Sequence, residues 1–343
     1  MLDSIFYILL LELILVKLYN LNVNFEKQEG IALNPFKYSD DNKRYHTLYY
    51  YNKHHLGKSR KVILNAGMTC PNKDGTAGVG GCIFCDQGSG YFEPSAKLSI
   101  KEQIELERER IYKKTPNAKL TGYFQSNTNT YCSPERLNQI LSEAYESKML
   151  DTLDIATRPD CLDDEKIEIL KSYAEKIPLT VELGLQSVSD ETAKLINRCY
   201  DFSVFEKAFY SLKQANIRIC VHLINGLPNE SLDDMINSAK TLGQMKPDAV
   251  KIHLLFVIRN TKLAQMYESG EYTPMSFDDY IETLITQLEY LPPETVIERI
   301  TGDGDKKTLL APMWSTDKIR VLGTVDKRMV ERNSWQGKLY LER

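Results

Sequence analysis

From residue 61 onward, short β-branched apolar runs alternate with helix-patterned stretches, and this rhythm constrains the fold more than any other feature. The runs are "KVILNAGM" (61–68), "LTGYFQS" (120–126), "LDIATR" (153–158), "LTVELGLQS" (179–187), "IRICVHLINGLP" (217–228) and "AVKIHLLF" (249–256). Near-continuous apolar runs of this length are what strands buried in a parallel sheet require. Between them, "SPERLNQILSEAYESKM" (133–149) opens with Ser133, Pro134 and an acidic residue, an N-cap and first turn. "DDEKIEILKSYAEK" (163–176) sets Ile167, Leu170, Tyr173 and Ala174 on one face, acidic residues first and lysine last. Stretches 203–216 and 231–245 behave alike. Strands alternating with helices imply a parallel sheet with right-handed crossovers. Eight strands would close a barrel. Six predict an α/β fold of open or partial (β/α)6 barrel type.

Residues 275–343 leave this rhythm. "SFDDYIETLITQLEYL" (276–291) reads as one amphipathic helix, stopped by Pro292 and Pro293. Over 317–343, seven Lys/Arg face four Asp/Glu, a local excess of +3 on a chain of net charge −4. A solvated face is the plain reading of that tail, and a nucleic-acid contact surface the sharper one. At the other end, "SIFYILLLELILVKLYNL" (4–21) is apolar but interrupted by Glu12. It falls short of the ~20 apolar residues a bilayer span needs. No Lys or Arg precedes it and no small-residue cleavage site follows, which makes it a poor match to a signal peptide. A packing helix, or an extension from an upstream start codon, is expected there, and no membrane partner. "YHTLYYYNKHH" (45–55) could stack bases, but core plus amphipathic surface is the favoured reading. His46, His54 and His55 are expected at surface or core positions. The expected division is an N-terminal extension over 1–44, a core over 45–275 and a C-terminal extension over 276–343.

Seven cysteines occur, and only Cys70, Cys82 and Cys85 cluster, in "CPNKDGTAGVGGCIFC" (70–85). An odd, scattered set argues against a disulfide framework and for a reducing compartment. Cys132, Cys161, Cys199 and Cys220 read as small hydrophobes. The cysteine loop follows the first strand, so it sits at the carboxyl edge of the sheet, where such folds place their chemistry. Gly75, Gly78, Gly80 and Gly81 allow it to wrap a compact inorganic core. Three thiolates on a four-iron cluster leave one iron open to a small molecule. Two alternatives stand beside this. A structural zinc would need a histidine, with His222 or His253 as candidates. A C-x-x-C redox pair would explain Cys82 and Cys85 but not Cys70 or the glycines.

Together "LNAGMTCPNKDGTAGVGGCIFC", "YFQSNTNTY", "ATRPD", "VELGLQS", "LINRCYDF", "VHLINGLPNE", "VKIHLL" and "TKLAQMYESGEY" resemble radical S-adenosylmethionine (SAM) enzymes of the YhcC/YtqA type, relatives of the elongator-type and coproporphyrinogen-oxidase-type radical SAM proteins. The eleven-residue first gap departs from the superfamily's usual spacing and matches this subgroup. The resemblance implies that Cys70, Cys82 and Cys85 ligate a [4Fe–4S] cluster and that SAM chelates the open iron. The cluster, reduced by a donor such as flavodoxin or ferredoxin, cleaves SAM to a 5′-deoxyadenosyl radical that abstracts hydrogen. It further implies that Phe84, Gln125, Glu182, Gln186 and Arg198 bind the cofactor, Arg198 near the SAM carboxylate. "INGLPNE" (224–230) corresponds to the segment lining the adenine. Elongator-type relatives act on tRNA wobble uridine. YtqA-type members are implicated in 5-aminomethyluridine synthesis from the carboxymethylaminomethyl form. A cytoplasmic enzyme acting on tRNA is therefore expected, with a small-molecule substrate or a non-catalytic iron–sulfur or zinc module as alternatives. Where the family often has Gly-His, this chain has Cys199–Tyr200.

Overall fold

The structure, a computed structural model, describes residues 34–86, 93–302, 304 and 306–341. The apolar stretch 4–21 lies outside the described residues. The six expected strands are β1 (Ser59–Leu64), β2 (Lys119–Phe124), β3 (Thr152–Thr157), β4 (Leu179–Gln186), β5 (Arg218–Asn225) and β6 (Ala249–Leu254). Beyond them, β7 (Val257–Ile258) pairs antiparallel with β9 (Leu309–Ala311), and β8 (Val296–Arg299) joins the main sheet. That sheet runs β1-β2-β3-β4-β5-β6-β8, parallel throughout, and curls into a half-barrel. The partial barrel expected from sequence is present, with one strand more. The sequence reading passed over β8 because its four residues follow Pro292–Pro293 with no run of their own.

Ten helices are described: α1 (Leu48–His55), α2 (Ile100–Lys114), α3 (Pro134–Glu146), α4 (Asp164–Ala174), α5 (Asp190–Leu195), α6 (Phe202–Gln214), α7 (Leu232–Met245), α8 (Lys262–Glu268), α9 (Phe277–Tyr290) and α10 (Lys318–Glu331). Their starts follow local chemistry. Ser133 accepts from the Arg136 N–H ahead of Pro134, and Ser99 with Glu102 closes a reciprocal box that satisfies the first turn of α2. α3 buries Leu137, Ile140, Leu141 and Ala144, the i, i+3, i+4, i+7 stripe. Such stripes cover one sheet face, where Val62, Leu64, Leu120, Phe124, Leu153, Ile155, Val181, Leu183, Ile219, Val221, Val250 and Ile252 form a single core.

Two outlying expectations are resolved here. The aromatic run at 45–55 packs on the barrel edge. Tyr45 is buried, His46 stacks on Tyr38 at 4.7 Å and Arg218 lies 5.0 Å from the Tyr51 ring centre. Two of the tail's basic residues turn toward α9, while Arg320, Lys327 and Lys338 are exposed. Arg328 of α10 pairs with Asp278 and with Glu282 (2.8 Å), and Arg332 with Glu282 (2.7 Å) and Glu289 (3.3 Å). Those two guanidiniums face the acidic side of α9 rather than an open RNA-binding surface. No helix among the described residues is long and apolar enough to cross a membrane.

Candidate active site at the carboxyl edge of the half-barrel

The cysteine loop begins where β1 is clamped from outside. Buried Gln103 of α2 accepts from the Asn65 N–H (2.8 Å) and donates to the Asn65 carbonyl (2.9 Å). The loop then folds on itself. Lys73 N–H donates to the Cys70 carbonyl, Ala77 N–H to Pro71 and Gly81 N–H to Asn72. Buried Asn72 is its hub, donating to the Asn197 carbonyl (2.5 Å), facing the Cys82 thiol at 3.6 Å and accepting from the Cys199 thiol at 3.1 Å. A Cβ on Gly78 would meet Asn72 Oδ1 at 2.2 Å and Cys199 Sγ at 2.5 Å, so only glycine fits there. Between Cys82 and Cys85 the chain makes a turn, Cys85 N–H donating to the Cys82 carbonyl (2.9 Å). Ile83 within it is buried and held from both sides, its N–H to Ile196 (3.1 Å) and its carbonyl by Leu263 of α8 (2.9 Å).

The three thiols lie within one another's field. Burial, then Cys85 and Cys70, push the Cys82 thiol up to about 12. Burial also raises Cys85, with the Lys73 ammonium opposing. Among the described residues no three His, Cys, Asp or Glu side chains could hold one metal ion, and His222 is bonded elsewhere. The zinc alternative needs such a point of convergence. A four-iron core does not, because each thiolate takes a different iron. Three thiols on a loop pinned at the sheet's carboxyl edge fit that donor set.

Around the loop, the run after β2 ties three strand ends together. Asn129 Nδ2 donates to the carbonyls of Phe124, Ser126 and Ala156, and Thr130 bonds Thr157 (2.6 Å). Asn127 donates to the Met68 carbonyl and accepts from Lys73 (3.2 Å). Thr128, Asn129 and Thr130 are therefore buried structural ties. Gln125 stays half-exposed, and the buried Ser126 Oγ has no partner among the described residues. Phe84 is half-buried, packed against the cluster that contains Ile83, Ile196 and Leu263. Gln186 sits at a bulge with φ +65°, half-exposed, and accepts from Tyr200 OH (3.2 Å). Tyr200 OH also bonds the Gly184 carbonyl, and its ring lies 4.8 Å from Arg158 and 4.5 Å from Arg198.

Two of the expected cofactor contacts, Arg198 and Glu182, are buried. Arg198 is fully buried, donating to the carbonyls of Leu185 (2.5 Å), Ser187 (2.6 Å) and Tyr200 (3.1 Å). Glu182 points from β4 into the half-barrel with no side-chain exposure. One oxygen takes Lys61 (3.1 Å) and Lys251, the other Tyr123 OH (2.6 Å) and His222 Nε2 (2.9 Å). These cations hold its carboxyl well below the ordinary range against the cost of burial. Lys61 also pairs with Asp154 (2.9 Å), and Arg218 with Glu298 (3.0 Å). Sequence reasoning missed this layer and Arg158, which forms a two-pronged pair with Asp160 (2.9 and 2.7 Å). A lysine inside the buried run "AVKIHLLF", and an arginine between a strand and Pro159, were the available signals.

A curled parallel half-barrel with a three-cysteine loop after its first strand defines the radical SAM class of enzyme. The Radical SAM superfamily matches residues 73–242 and the Radical_SAM C-terminal domain residues 247–331. YtqA of Bacillus subtilis is 42% identical over 313 residues, covering 90% of this chain and 96% of that protein. The chain belongs to the radical SAM superfamily, as a protein of the YhcC/YtqA type. A tRNA uridine(34) acetyltransferase of Methanocaldococcus infernus is 33% identical over 153 residues, 43% of this chain and 28% of that protein. The solved archaeal Elp3 of M. infernus superposes with a TM-score of 0.62 at 22% identity, over 81% of this chain and 65% of that one, a likeness of fold.

Proposed function

We propose that Cys70, Cys82 and Cys85 hold a [4Fe–4S] cluster, that SAM binds beside it across the carboxyl ends of β1 to β5, and that the substrate is a tRNA wobble uridine of the 5-aminomethyl type. The observation that carries the first part is the cysteine loop itself, three thiols fixed by Asn72, Ile83 and Gly78 at the sheet's carboxyl edge. The bound cluster supplies the electron that cleaves SAM, drawn from a flavodoxin or ferredoxin.

The chain's own residues position and enclose. Gln125 and Gln186, half-exposed at the ends of β2 and β4, present amide groups to SAM. Phe84, half-buried within the C-x-x-C turn, packs toward its adenine side. Arg198 acts through the backbone by holding the bulge that aims Gln186. Glu182 acts through the ionic layer, which fixes the barrel floor beneath the cofactor. The division at 44/45 and 275/276 belongs to this reading, with β8 drawing the C-terminal extension into the sheet. The tRNA part, and with it a cytoplasmic setting, is supported by the partial likeness to the tRNA uridine(34) acetyltransferase.

Nucleoside mass spectrometry of tRNA from a deletion strain tests the substrate. Accumulation of the carboxymethylaminomethyl nucleoside at the expense of the aminomethyl form is expected. An unchanged wobble-uridine profile overturns the tRNA assignment and leaves a small molecule as the substrate.

A further inference from the structure

Inside the half-barrel, three cations and three carboxylates of the ionic layer neutralise one another. Lys61, Lys251 and Arg218 face Asp154, Glu182 and Glu298. Two histidines and one further arginine are not accounted for by that balance. His222 of β5 and His253 of β6 approach with ring centres 5.1 Å apart. Because Glu182 is ionised, His222 Nε2 carries the hydrogen and donates to it, so Nδ1 is left as a lone-pair nitrogen. The His222 side chain is 21% exposed, so a ligand in the lumen can reach it. His253 Nε2 is out of contact with solvent and has no partner among the described residues. A buried ring nitrogen without a partner is costly and points to a group that completes it. Arg299, exposed at the end of β8 and in register with Lys251, has no side-chain partner among the described residues.

We propose that His253 and Arg299, beside His222, form an oxyanion site in the barrel lumen that takes a carboxylate or phosphate of the substrate. Arg299 supplies the permanent charge. His253 gains a proton as the anion arrives and then donates from Nε2, while Glu182 holds His222 in place beside it. The field is right for this. Burial, then His222, Arg299 and Lys251, hold His253 well below its ordinary value, with Glu182 opposing. Burial also lowers His222, with Glu182 opposing and Lys251 and Arg299 adding. Both rings are neutral near pH 7 and, among the described residues, sit in an excess of positive charge, so an anion binds there with uptake of a proton. The inference deepens the reading above, since a carboxymethylaminomethyl uridine carries such a carboxylate. Its test does not depend on turnover.

The test is calorimetric titration of the reconstituted full-length protein at pH 7 with sodium acetate and with inorganic phosphate, in two buffers of different ionisation enthalpy. Binding of one anion with proton uptake is expected. Preference for acetate marks a carboxylate substrate, and preference for phosphate a phosphorylated one. His253→Gln should abolish the uptake and weaken binding about tenfold, the scale of one charged hydrogen bond. Arg299→Gln should weaken binding similarly, and Arg299→Lys should restore most of it. Failure of both anions to bind, binding without proton uptake, or binding unchanged by these substitutions overturns the proposal. SAM cleavage by the unaltered chain reports on the cluster reading, so the two can fail separately.

Discussion

Glu182 and Leu183 are neighbours on β4, equally hidden from water, and they belong to opposite worlds. Leu183 faces the helices, in a continuous apolar core that would accept any well-fitting hydrocarbon. Glu182 faces the lumen, where four side chains from β1, β2, β5 and β6 converge on its two oxygens. The outer face holds the fold by area. The inner face places charge at fixed points, at a cost in desolvation. One sheet thus carries structure on one side and chemistry on the other.

The comparison predicts unequal penalties. Glu182→Gln leaves the buried Lys251 and the part-exposed Lys61 short of their counter-charge and should cost about 4 kcal/mol in denaturant unfolding. Leu183→Ala removes apolar contacts alone and should cost roughly 3 kcal/mol. If Glu182→Gln were neutral, the ionic layer would not be the strained side of the sheet.

The rim where the two faces meet sharpens the contrast. Glu230, in the loop after β5, bonds Ser187 at the end of β4, and burial pushes its carboxyl up to about 7 from an ordinary 4.5. A folded value above the unfolded one contributes stability that is fully present below about pH 4.5 and lost as pH rises through 7. Glu230→Gln should remove that part of the decline, at most about 3 kcal/mol. The check is unfolding free energy at a series of pH values. An unchanged slope would place Glu230 in water. The smallest effect belongs to the surface. Arg328→Ala breaks half-exposed pairs with Asp278 and Glu282 and should cost under about 1 kcal/mol, less in high salt.

The outer face was legible in the sequence and the inner one was not. Apolar runs such as "LTVELGLQS" announce strands because their alternate positions bury hydrocarbon against helices, a local property. The partners of Glu182 come from residues 61, 123, 222 and 251, and only the register of parallel strands brings them together. The cysteine loop was legible because its ligands and glycines are close in sequence. Arg198 stood out for its charge, yet the carbonyls that enclose it arise from the bulge at Gly184/Gln186, which leaves no mark in the pattern. β8 was too short to read, and the acidic partners of Arg328 and Arg332 lie on α9, outside the local pattern.

Anaerobic reconstitution with iron and sulfide, followed by dithionite and SAM, tests the central claim most directly. The account predicts about four irons per chain, absorbance near 400 nm and release of 5′-deoxyadenosine, all lost when Cys70, Cys82 and Cys85 are replaced by alanine. A protein that takes up only zinc, or that binds iron and never cleaves SAM, would contradict it.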